Sequence, residues 1–116
     1  MNRFTNTVEE YKMLPRNRIA THPGQVLLQE FVEPLGLTQS QLAKALAIPL
    51  NRVNEVVRGK RGITPQTALL LSGYFKNSAE FWMNLQTAYD LTRALHEIRK
   101  RPTASTRGAR RSIGAD

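Results

Sequence analysis

Asn51, Glu55 and Arg58 stand at i, i+4 and i+7 in the stretch Leu50-Asn51-Arg52-Val53-Asn54-Glu55-Val56-Val57-Arg58. At about 100° per residue, that spacing places an amide, a carboxylate and a guanidinium on one stripe of a helix. Val56 and Val57 fall within about 60° of Val53 on the opposite side, and Arg52 and Asn54 flank the polar stripe. These side chains can hydrogen-bond base edges in a DNA major groove: Asn pairs with adenine, Arg with guanine, and Glu accepts from cytosine. A plainer account is open too, because Glu55 and Arg58 can pair with each other across one turn. An arginine near a helix C-terminus is also favourable without any ligand. Gln39 and Ser40, at the start of the preceding helix, could face a phosphate with the help of free N–H groups. Lys60 and Arg61, just past the stripe, could contact backbone phosphates.

The charge of the chain agrees with such a partner. Its 116 residues carry 17 Lys and Arg against 9 Asp and Glu, a net +8. That surplus favours phosphate-rich partners through counterion release, although a basic surface can equally be only a solubilising one. Between His22 and His96 seven basic residues face five acidic ones, so most of the excess lies on the flanks. Four of those seven (Arg52, Arg58, Lys60, Arg61) fall close together, with Glu55 the one acid among them.

The remaining composition excludes much. The length suits one domain with flexible ends. Without cysteine there are no disulfides, thiolate zinc sites or cysteine nucleophiles. The two histidines, His22 and His96, lie far apart, and no carboxylate–histidine metal spacing, phosphate loop or nucleophile motif occurs. The expectation is therefore a protein that is not an enzyme and holds no metal or cofactor. The apolar runs are too short for a membrane span, and Met1-Asn2-Arg3 is not followed by a secretory signal, so no membrane and a cytoplasmic location are expected.

Capping residues and apolar spacing predict the elements that would carry the stripe. Thr7 and Glu10 read as a capping box for a short helix to about Met13, ended by Pro15, inside an N-terminal extension of residues 1–21. Residues 22–101 form the domain. Its first helix starts at Pro23 with His22 as N-cap, buries Val26, Leu27, Phe31 and Leu35, and ends near Glu33 before a turn at Gly36. The second begins at Thr38, boxed with Gln41, buries Leu42, Ala43 and Leu46, and ends near Ala47. The third carries the stripe and stops at Gly59. Thr64-Pro65 opens the fourth, with Ala68, Leu69, Leu71, Ser72 and Phe75 inward. Asn77 and Glu80 pair at the cap of the fifth and longest, about Ser78 to Lys100, which Pro102 stops. Residues 102–116 form a basic tail that cannot bury enough apolar surface to order itself.

Two short helices joined by a tight turn are the geometry that lays a helix in the major groove. Gln39, Ala43, Ile48, Val53 and Val56 match the helix-turn-helix spacing, with Ala43 small at the crossing and Ile48 plugging the turn. The turn position that often holds glycine is Ala47 here. Either it adopts a positive φ at a cost of about 1 kcal/mol, or the turn avoids that conformation. Phe81 and Trp82 most simply close the core, but with Leu85 and Tyr89 they could also form a dimer seam, since the fifth helix has more apolar positions than one side of a small bundle needs.

Four blocks in order resemble the HigA antitoxins (VapI-like), within the Xre/Cro-type regulators: His22-Pro23-Gly24-Gln25-Val26-Leu27, Pro34-Leu35-Gly36-Leu37-Thr38-Gln39, Asn51 through Thr64, and Ala79-Glu80-Phe81-Trp82-Met83-Asn84-Leu85-Gln86. The resemblance runs from about Thr21 to Leu95 and leaves out both ends. It implies an all-α, compact five-helix lambda-repressor-like helix-turn-helix domain with an extended fifth helix. It also implies a homodimer on palindromic operator double-stranded DNA that represses its own operon, and a HigB-like, RelE-like mRNA-cleaving toxin as protein partner. Gln39, Asn51, Arg52, Asn54, Glu55 and Arg58 would then be the DNA readers. No toxin-binding motif carries over. A stand-alone repressor would share the DNA-binding part, and an interaction protein that has lost DNA binding is a third reading.

Overall fold

Thr38, Thr64 and Ser78 each turn the chain into a helix by accepting a backbone N–H three residues on, at 3.0 Å from Gln41, 3.3 Å from Thr67 and 3.0 Å from Phe81. At Thr38 the reciprocal bond from its own N–H to Gln41 Oε1 (2.9 Å) completes the expected box. His22 does the same for the first helix through Nδ1, which accepts from the Gly24 N–H at 2.9 Å. The computed structural model describes residues 18–101. It comprises α1 (Pro23–Val26), running on as a π-helical segment (Leu27–Val32), then α2 (Gln39–Leu46), α3 (Leu50–Val57), α4 (Pro65–Phe75) and α5 (Ala79–Arg99). No strand occurs among the described residues, so the fold is the expected all-α arrangement. The proposed Thr7–Glu10 box and the tail at 102–116 lie outside the described residues.

The π-helical segment alters the expected face of the first helix. The hydrogen bond there runs i to i+5, from Glu33 N–H to Leu28 O (2.9 Å), and the helix is closed beyond it by Leu37 N–H to Val32 O (3.0 Å) around left-handed Gly36. The wider turn brings Leu27 and Val32, five apart, onto one buried side. Leu35, which a regular 3.6-residue period would bury, is left 63% exposed. Ordinary periodicity cannot reveal a π segment, because the change is one of hydrogen-bond register rather than of residue type.

Two further expectations need correction. Leu69 is 65% exposed, and Thr67 takes an inward position on α4 beside Ala68 and Leu71. Asn77 does not cap α5. Its Oδ1 accepts from Trp82 Nε1 at 2.9 Å, while Ser78 provides the cap. Trp82 is fully buried, with Phe31 and Phe81 both 5.0 Å away between ring centroids. An indole N–H inside the core requires such an acceptor.

On α5, Leu91 (39% exposed), Leu95 (36%) and Ile98 (56%) follow Ala88 at alternating steps of three and four residues. This leaves an apolar stripe on the outer side of the helix. No helix among the described residues is long and apolar enough to cross a membrane.

The turn between α2 and α3 takes the strained option. Ala47 sits at φ 57°, ψ 43°, in the left-handed region. For an L-residue with a Cβ this costs about 1–2 kcal/mol. Ala47→Gly should therefore raise the thermal midpoint, by about 4–8 °C per kcal/mol recovered in a domain of this size. An unchanged or lower midpoint in a calorimetric scan would show that the turn is relaxed around alanine.

Candidate nucleic-acid interface

The bihelical unit is built from the turn outward. Ile48 N–H donates to Ala43 O at 3.0 Å, closing the C-terminus of α2 and seating Ile48 against the core. Val53 and Val56 are buried, which fixes the rotation of α3 about its axis. The polar stripe therefore faces outward as expected. Asn51 and Arg58 are exposed, Glu55 between them is half-buried, and so are Arg52 and Asn54 at the edges.

Glu55 is not paired with Arg58. Its Oε1 accepts from both Nε and Nη2 of Arg61, each at 2.8 Å. The loop after α3 thus folds Arg61 back onto the stripe, and Arg58 has no ion pair among the described residues. Lys60 is exposed, and its N–H donates to Glu55 O at 2.8 Å. At the start of α2, Ser40 is exposed. Gln39 keeps Oε1 out of solvent with no hydrogen-bond partner among the described residues, an arrangement that costs free energy unless some group satisfies it.

Other elements set the depth and tilt of α3. At Gly24 an added Cβ would lie 1.7 Å from Val56 O, so α1 meets the last turn of α3 backbone to backbone. Any side chain there would push the two helices apart. The His22 ring lies against the same junction, 3.9 Å from where a Cβ on Gly59 would be. On its other side it meets Tyr89 of α5 edge-on, 4.7 Å between centroids. Burial pushes the His22 pKa below its ordinary 6.5; Asp90 opposes this and Arg93 adds to it.

The loop beyond α3 is also tied to α5. Ile63 N–H donates to Gln86 Oε1 at 2.7 Å, and Gln86 Nε2 donates to Asp90 Oδ1 at 3.0 Å. Gln86 was not among the residues singled out from the sequence. The available signal was a polar residue one step round the helix from the buried Trp82. Upstream of α1, Ala20 N–H donates to Thr92 Oγ1 at 2.8 Å, so α5 also holds the approach to the first helix.

The four expected seam residues are not together on one free surface. Trp82 is withdrawn into the core and has no surface to offer a partner. Leu85 packs on the core, and Tyr89 is engaged by His22. Phe81 remains exposed, and the outer apolar stripe continues with Leu91, Leu95 and Ile98. Those three are legible in the sequence as a run of three- and four-residue steps, Phe81, Asn84, Ala88, Leu91, Leu95, Ile98.

The helix-turn-helix family model HTH_3 matches residues 28–82, a span that contains the whole of α2, the turn and α3. Over 75 residues the chain is 52% identical to Virulence-associated protein I of Dichelobacter nodosus, covering 65% of this chain and 69% of that protein. It is similar to the solved structure of Pseudomonas aeruginosa antitoxin HigA with the higBA promoter, at 41% identity and a TM-score of 0.67, over 69% of this chain and 87% of that one. A second Pseudomonas aeruginosa protein, solved in complex with 18 bp of its operator DNA, is 43% identical with a TM-score of 0.64, over 65% of this chain and 81% of that one.

Gln86→Ala leaves the N–H of buried Ile63 without its acceptor. It should lower unfolding free energy by about 1–3 kcal/mol in urea titrations. A change below a few tenths would mean that solvent replaces the glutamine.

Proposed function

Because this chain belongs to the helix-turn-helix family, with HigA antitoxins and virulence-associated proteins among its relatives, we propose that it is the antitoxin of a type II toxin–antitoxin pair. In this reading it binds operator DNA as a dimer, represses its own operon, and neutralises a HigB/RelE-like mRNA-cleaving toxin. The observation that carries the DNA part is the outward stripe of α3, where Asn51 and Arg58 are exposed and Arg58 has no ion pair among the described residues.

The roles follow from chemistry and position. Asn51 and Arg58 read base edges, with Arg52 and Asn54 at the sides of the stripe. Glu55 has a double part: its carboxylate can accept from a cytosine, and it holds Arg61 in place by their ion pair. Arg61 and Lys60 contact the sugar–phosphate backbone past the helix, and Gln39 and Ser40 contact it at the start of α2. A phosphate-bound water of the complex would donate to Gln39 Oε1 the hydrogen bond it lacks.

Dimerisation uses the outer stripe of α5, Phe81 with Leu91, Leu95 and Ile98. A stripe of this kind buries itself best against a second copy, and two-fold symmetry would set the two α3 helices about 34 Å apart, one turn of DNA.

Fluorescence anisotropy with the DNA upstream of the gene tests the reader assignment. Asn51→Ala and Arg58→Ala should each lose about 1–3 kcal/mol of specific binding and relax sequence preference. Unchanged affinity and preference in Arg58→Ala would remove α3 as the reading helix. Leu95→Glu should shift the sedimenting species from dimer to monomer and weaken operator binding. A dimer that persists places the interface elsewhere. Co-expression with a small basic reading frame beside the gene should yield a stable complex; its absence would leave a stand-alone repressor.

A further inference from the structure

We propose that His22 is a positioning residue for the DNA-reading helix and that its protonation releases that helix, so that operator binding weakens as the solution becomes acid. The inference rests on the operator-binding reading for its functional consequence, but not for its structural content.

Three contacts converge on the imidazole. Nδ1 accepts from the Gly24 N–H at 2.9 Å and so must carry no proton. The ring lies edge-on to Tyr89 at 4.7 Å and stands 3.9 Å from where a Cβ on Gly59 would be. Gly24, the donor to that nitrogen, is itself pressed against Val56 O. One hydrogen bond therefore fixes the residue whose backbone sets the last turn of α3, from which Arg58 projects and after which Lys60 and Arg61 follow.

A second proton on the ring converts Nδ1 from acceptor to donor. It then faces the Gly24 N–H donor to donor, and the charged ring is half removed from water. The charged neighbours that act on it come from α5: Asp90, which favours the proton, and Arg93, which opposes it. From the α1 side the ring meets the Gly24 N–H, and past the end of α3 it faces the side-chain-free Gly59. Burial is the largest influence and holds the pKa below 6.5. The sign follows. The braced conformation has the lowered pKa, so its full stability is present above about 6.5 and is lost as pH falls through the lowered value.

This direction is the reverse of ordinary behaviour. Protonating a surface group makes the protein more positive and tightens DNA binding. The other histidine, His96, is exposed in the last turn of α5 and makes none of these contacts.

The test compares affinity for the upstream DNA at pH 7.5 and pH 5.5, at fixed ionic strength, for the full chain and two variants. The native protein should bind roughly two- to tenfold more weakly at the lower pH, the range corresponding to one net hydrogen bond. His22→Asn keeps a capping acceptor but does not titrate, so its ratio between the two pH values should be flat. His96→Gln should keep the native ratio. Tighter native binding at pH 5.5, or the same loss in His22→Asn, overturns the proposal. A parallel NMR titration of the free protein keeps the two readings separable. The amides of Gly24 and of residues 56–59 should shift together with the His22 ring signals, whether or not the DNA binds. Ring titration that leaves those amides still would overturn the brace itself, whereas coupled shifts with no DNA binding would fault only the operator reading.

Discussion

The carbonyl oxygen of Val56 occupies the place where any side chain at position 24 would have to sit. That backbone-to-backbone approach of α1 to α3 governs the geometry of the outward stripe. It sets how deeply the last turn of α3 lies in the bundle, and hence how far Asn51 and Arg58 project from it. It also explains the local sequence. His22 caps, Pro23 starts the helix, and Gly24 alone leaves room for the approach, so the three residues act as one wedge under the end of α3.

The long helix α5 holds this wedge and the rest of the frame from one side. Thr92 anchors the chain before α1, Tyr89 backs the His22 ring, Gln86 ties down the loop after α3, and Trp82 fills the core. Polar bonds at half-buried sites add little net stability each. Their effect is rather to choose one arrangement, because an unmet N–H at Ile63 or Ala20 would penalise every alternative. On the opposite side of α5, Leu91, Leu95 and Ile98 are left uncovered in the single chain. One helix thereby links the position of α3 to the surface through which two copies would meet.

Most of this frame was legible in the sequence because its causes are local. Threonine and serine caps, prolines at first helical positions, and the valine spacing of α3 all act over one turn, and the helices form where those signals put them. What was not legible depends on partners distant in the chain or on hydrogen-bond register. The π-helical segment brings Leu27 and Val32 to one side without any change in composition that marks it, and Leu35 falls in the turn beyond it, facing outward. Asn77 looked like a cap because capping needs only nearby N–H groups, whereas its true donor, the Trp82 indole, is brought in by the packing of the aromatic cluster. Glu55 has two cations within reach, and the return of the loop through Gly59 at φ 76° selects Arg61 over Arg58. Ala47 was the open case. The i to i+5 bond from Ile48 to Ala43 closes the turn only if residue 47 is left-handed, so the tertiary demand outweighs the local cost.

The central claim is that α3, held by α1 and α5, is the surface that meets DNA. Amide chemical-shift mapping of the full chain, titrated with the duplex from upstream of its gene, tests it most directly. The account predicts that the largest shifts cluster at 38–40 and 50–61, with the exposed outer stripe of α5 unaffected once the dimer has formed. Shifts confined to α4 or the outer side of α5, with 50–61 silent, would contradict it.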